Sequence, residues 1–146
     1  MDSTNNQNAA MLGDIVKTCD MGKTSIKQLM PYIKNREFKK LAAQQYKDYN
    51  AIGDEAVRAL AAEGKPVEGA PGFSKLMSGW MIAMQGMRKN SEHELVSMLL
   101  RGNSSGIAKT GGNLNHLKNV QPQTRELAQK LLKAEQKNEQ ELIPYL

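Results

Sequence analysis

The chain has 146 residues, a net charge of +5 and 40% apolar residues, which is the make-up of one domain whose core needs no disulfide or metal staple. Its single cysteine, Cys19, excludes an intrachain disulfide, and no apolar run approaches the ~20 residues of a membrane-spanning helix. The polar opening Met1-Asp2-Ser3-Thr4-Asn5-Asn6-Gln7-Asn8 lacks the basic and then apolar pattern of a secretion signal, so the expected setting is the cytoplasm.

Residues 1–8 are expected to form a disordered tail and 9–146 a single helical domain. The spacing predicts a first helix over 9–33, because Leu12, Cys19, Ile26 and Ile33 recur every seven residues with Ile15 and Leu29 between them. Asn8 or a polar neighbour caps its start, and Pro31 marks its last turn. A second helix is expected over 36–63, with Phe38, Ala42, Gln45, Tyr49, Ile52, Ala56 and Ala59 or Leu60 on one face, and Gly64 followed by Pro66 as its stop. Pro66, Gly69, Pro71 and Gly72 then make the clearest loop in the chain.

A short amphipathic helix follows over 72–89, with Phe73, Leu76, Met77, Trp80, Met84 and Met87 on its face. Ser91 and Glu94 form a capping box that opens a helix over 92–118. That helix carries Gly102, Gly106 and the pair Gly111-Gly112, expected to be its weakest point. Pro122 suits the first position of a last helix over 122–143, which carries Leu127, Leu131, Ala134, Asn138 and Leu142. No stretch alternates as a strand does. The fold expected is all-α: a ferritin-like antiparallel four-helix bundle with an extra short helix in the connection between its second and third long helices.

That layout often holds two metal ions on four carboxylates and two imidazoles. Here the mid-bundle positions offer Gly22 and Lys23, then Gln45 and Asp48, then Gly102, Gly106 and Lys109, and finally Glu135 and Asn138. Two cations in that zone repel a divalent ion, so no metal and no cofactor is expected. His93 and His116 are 23 residues apart, about 35 Å along a helix, and cannot share a metal within one chain. Cys19 lies on the core stripe and reads as an inert buried thiol. No nucleophile elbow, phosphate loop or dinucleotide fingerprint occurs, so no enzymatic activity is expected.

Two clusters stand out instead. Lys23, Gln45, Asp48, Lys109, Glu135 and Asn138 are expected to form an internal ion-pair and hydrogen-bond network, with Lys109 on Glu135 and Lys23 on Glu135 or Asp48. Breaking such a pair by Glu135→Gln is expected to lower stability sharply. The competing expectation is that both lysines snorkel to solvent. The second cluster, Met77, Trp80, Met81, Met84 and Met87 with the small-residue face Gly102–Gly106, is a candidate contact surface for a homodimer or another protein. The basic run Lys34-Asn35-Arg36-Glu37-Phe38-Lys39-Lys40 keeps nucleic acid or anionic lipid open as an alternative partner.

The segment Lys17-Thr18-Cys19-Asp20-Met21-Gly22-Lys23, the Pro/Gly-rich link, Gly79-Trp80-Met81 and Leu100-Arg101-Gly102 through Gly106-Ile107 together resemble small bacterial ferritin-like bundle proteins of unknown function, clostridial-type relatives among them. The resemblance implies the bundle fold from Leu12 to Leu146. By this resemblance, Lys23 stands where some relatives keep an acidic residue, a departure that counts against an inherited metal role. The function expected is a non-enzymatic bundle acting through protein contacts or self-association; a degenerate metal-binding or redox protein is the alternative.

Overall fold

A computed structural model describes residues 3–65, 78, 82, 85 and 91–146. Its described part is built from four long helices: α1 (Ser3–Leu29), α2 (Arg36–Ala62), α3 (Glu92–His116) and α4 (Pro122–Leu142). Short 3-10 turns, Met30–Tyr32 and Ile143–Tyr145, follow α1 and α4. No strand occurs among the described residues, and none of their helices is long and apolar enough to cross a membrane. The short helix expected over 72–89 falls mostly outside the described residues, though Ser78, Ile82 and Gln85 have helical backbone.

Each helix starts and stops for a local reason. The Asn35 side chain accepts from the backbone N–H groups of Glu37 and Phe38, which satisfies two orphan donors at the start of α2. Gly64, at φ 71°, closes α2: Gly64 N–H donates to Ala61 O and Lys65 N–H to Leu60 O, a C-terminal motif that favours glycine. Ser91 caps α3 by accepting from Glu94 N–H. Arg125 donates to the carbonyls of Leu114 and Leu117, covering the C-terminal end of α3. The glycine pair Gly111-Gly112 neither breaks nor ends α3, which continues to His116.

Hydrogen bonds between helix ends fix their directions. Asn8, early in α1, donates to Glu63 just past the end of α2, so these two run antiparallel. Asp14 accepts from Asn113 near the end of α3, so α1 and α3 are antiparallel too. The Glu92 carboxylate accepts from the backbone of Lys34 and Asn35 at 2.8 and 2.6 Å, which ties the start of α3 to the start of α2. Asn8 Oδ1 accepts from Gln121 N–H, which places the starts of α1 and α4 together. The order is therefore up, down, down, up. Residues 65 and 91 lie at opposite ends of the bundle.

The N-terminal helix begins at Ser3, six residues earlier than the sequence spacing implies, and residues 3–8 are not a disordered tail. Asn8 is the reason. It is buried, and it bridges Glu63 and Gln121, while the side chain of Gln7 accepts from Asn119 N–H. These bonds hold a polar turn in helical form against its weak propensity. The core runs through Leu12, Ile15, Cys19, Ile26, Phe38, Ile52, Leu95, Leu99, Leu131 and Leu142. Phe38 stacks on Tyr145 at 5.4 Å and seals one end. At Gly53 the backbone of α2 approaches α1 so closely that an added Cβ falls 3.1 Å from Cys19 Cβ.

Candidate functional site

The stripe of α4 places Glu135 and Asn138 inside, between Leu131 and Leu142. The stripe of α2 brings in Gln45 and Tyr49, and that of α3 brings in Asn103 and Gly106. Glu135 is 1% exposed. It fits because Gly106 has no side chain; a Cβ there would overlap the Glu135 carboxyl. Gly22 on α1 makes room in the same way for the Tyr49 ring.

The Tyr49 hydroxyl stands 2.8 Å from Asn103 Oδ1 and 3.1 Å from Glu135 Oε2. A phenol has one proton, so it donates to one of these oxygens only. With the proton on Asn103, Glu135 must be protonated and donate from Oε2 to the phenol. With the proton on Glu135, the Asn103 amide must turn to donate. Both arrangements satisfy the trio, and the first suits a neutral carboxyl. Burial pushes the Glu135 carboxyl up to about 8, against a smaller lowering by the Tyr49 hydrogen bond. Burial likewise raises the Tyr49 phenol, with Glu135 adding to it, and the nearby Asn138 amide opposes the rise. Glu135 Oε1, Gln45 Nε2 and Asn138 Nδ2 have no hydrogen-bond partner within the protein.

The expected lysines do not reach this centre. Lys109 is 58% exposed, and it pairs with Asp14 at 3.5 Å, not with Glu135. Lys23 pairs with Asp20 at 3.7 Å and donates to Asn50 at 3.2 Å, so it meets neither Glu135 nor Asp48. Asp48 accepts from Gln44, one turn away on its own helix. The physical reason is reach. A lysine at the edge of a stripe keeps its ammonium hydrated when an acid is available outside, and Asp14 and Asp20 are both available. Gln45, Glu135 and Asn138 remain inside, joined by Tyr49 and Asn103. The loss expected for Glu135→Gln through a broken ion pair therefore has no structural basis.

Beside this polar centre, between α1 and α3, opens a cavity of about 400 Å³. Glu135, Gln45, Tyr49 and Asn103 line it, with Gly22, Gly102, Gly106, Ser25 and Ser105 where larger side chains would fill it. Ile26, Leu99 and Met21 give it apolar walls, and Asp14, Lys17 and Lys109 also line it. Asp14 there collects Lys17 at 3.3 Å, Lys109 at 3.5 Å and the Asn113 amide at 2.8 Å. Gly102, Asn103 and Gly106 thus line the cavity, while Ser104 is exposed on the outer side of α3. Gly106 is buried against Glu135. Met77, Trp80, Met81, Met84 and Met87 lie outside the described residues.

The donor set around Glu135 is one carboxyl, neutral amides and a phenol, which does not match the carboxylate-rich surroundings of a di-metal centre. Among the described residues no three His, Cys, Asp or Glu side chains converge. His93 and His116 are both exposed. Cys19 is fully buried; burial first, then Glu135 and Asp20, push its thiol far up, so it is held as the unreactive thiol.

Asn103 and Tyr49 are the residues that sequence reasoning left out of the cluster. A signal existed for each. Leu95, Leu99, Asn103, Gly106 and Thr110 follow the inward period of α3, and Tyr49 lies one turn after Gln45. No family model matches this chain, and no curated protein or solved structure matches it either.

Proposed function

We propose that this chain is a non-catalytic binding protein that holds a small organic molecule in the cavity between α1 and α3. The observation that carries this reading is the meeting of that cavity with Glu135, a buried carboxyl whose Oε1 has no partner within the protein. A fold with no use for the space gains stability by filling it, and buried polar atoms are costly when left unsatisfied. Its volume suits a compact ligand, and its mix of apolar wall and a few polar groups is that of an organic-molecule site.

Gly102 makes the test clean. It lines the cavity, and a Cβ added there meets no atom within 4 Å. Gly102→Leu should fill the space without straining the helix. A fragment screen by ligand-observed NMR should find binders of the wild type that Gly102→Leu no longer holds. Binders retained equally by both proteins, or none at millimolar concentration, would refute the reading.

Kinship with ferritin-like bundles is likewise a proposal, supported by the up, down, down, up order with the starts of α2 and α3 tied together by Glu92. Self-association is a separate proposal. Its support among the described residues is Ile82, 67% exposed, and sedimentation velocity at high micromolar concentration tests it.

A further inference from the structure

The cavity's inner polar group is an acid without a cation. Glu135 Oε1 lacks a partner, and the positive charges nearest the cavity are committed elsewhere. Lys17 and Lys109 both go to Asp14, and Lys23 goes to Asp20 and Asn50. The titratable groups that interact with Glu135 from the packed helices are Cys19 on α1 and Tyr49 on α2; neither forms an ion pair with it. A buried carboxylate is stable only when paired, and until then it is neutralised by a proton.

Resting on the binding role proposed above, we infer that the ligand class is a monoamine: one ammonium group on a compact apolar body, seated with the ammonium on the Glu135 carboxyl that lines the cavity. The ammonium replaces the proton that Glu135 otherwise holds, and that proton leaves to solvent. Charge inside the cavity stays balanced, which a second ammonium would upset. At the edge, Asp14 faces two lysines, so that rim is net positive and disfavours diamines and polyamines. Ile26, Leu99, Met21 and the Tyr49 ring receive the apolar body.

A neutral hydrogen-bonding ligand gives the opposite pH dependence. It binds beside a protonated Glu135 and gains nothing as that proton is lost. An ammonium needs the carboxylate, so its affinity rises until Glu135 has ionised.

The test uses isothermal titration calorimetry with 2-phenylethylamine and its neutral counterpart 2-phenylethanol, on the wild type, Glu135→Gln and Gly102→Leu. For a carboxyl at about 8, the amine should bind roughly fiftyfold more tightly at pH 8 than at pH 6. Paired titrations in phosphate and Tris should show about 0.9 proton released per amine bound at pH 7. The alcohol should bind more weakly and without that rise. Glu135→Gln should keep the alcohol and lose the preference for the amine, and Gly102→Leu should lose both. Equal affinity for amine and alcohol, a flat amine profile from pH 6 to 8, or full amine binding by Glu135→Gln would overturn the inference. Alcohol binding alone would leave the cavity reading standing and refute the monoamine; binding of neither would refute both.

Discussion

Replacing Glu135 by glutamine should make this protein more stable at alkaline pH, not less. The carboxyl is raised from an ordinary 4.5 to about 8, so the folded chain keeps a proton that the unfolded chain has released. Stability contributed by this group is full below pH 4.5 and is lost as pH rises through 8. Integrated from pH 5 to pH 8, the loss is about 3–4 kcal/mol. Glutamine copies the neutral acid: its Nε2 donates to the phenol as Oε2–H does, and the phenol still donates to Asn103. Glu135→Gln should therefore unfold at a nearly constant urea midpoint over this range relative to the other titrating groups. The wild type should fall below it by several kcal/mol at pH 8. Urea unfolding followed by circular dichroism at pH 5, 6, 7 and 8 gives the difference directly. A wild-type slope matching the variant's would refute the reasoning, and so would a large loss of stability in the variant at pH 8.

Three further outcomes follow from the same geometry. Gly102→Ala should stabilise α3 by about 0.5–1 kcal/mol, since its Cβ meets open space, whereas Gly106→Ala should cost about 1–3 kcal/mol by displacing the Glu135 carboxyl; urea midpoints compare the two. Tyr49→Phe should cost about 1–3 kcal/mol, because it strips Asn103 and Glu135 of a shared partner, and it should move the pH midpoint of stability upward, because the Tyr49 hydrogen bond lowers the Glu135 value. Cys19 should resist a disulfide reagent in the native protein and react only on unfolding, at a rate set by urea concentration.

The helices and their inward faces were legible because Phe38, Ala42, Tyr49, Ile52 and Ala56, or Leu127, Leu131 and Leu142, repeat at a period that only a helix satisfies. The same period carried Gln45, Glu135 and Asn138 inside, since a polar residue on an apolar stripe goes where its neighbours go. Partner choice was not legible. Whether Lys23 and Lys109 turn inward depends on a few tens of degrees of rotation of α1 and α3, and four methylenes allow either answer. Asp14 and Asp20, each three residues from a lysine on α1, were the signal that favoured the outward one. The helical turn before Asn8 was hidden for another reason. Its polar residues form helix because of bonds to Glu63 and Gln121, far away in the chain, which no local propensity records. The cavity also left a trace, in the small residues Gly22, Ser25, Gly102, Ser105 and Gly106, but small residues equally allow close helix packing.

The ionisation of Glu135 is the point on which the buried site, the pH-dependent stability and the amine preference all turn. It is read most directly by ¹³C NMR on protein labelled at the glutamate side-chain carboxyl, titrated from pH 4 to pH 10, with Glu135→Gln supplying the assignment. One glutamate resonance, missing from the variant, should titrate near pH 8. If every glutamate carboxyl titrates in the ordinary carboxylate range, Glu135 is ionised at neutral pH and the account of a neutral acid waiting for a cation is wrong.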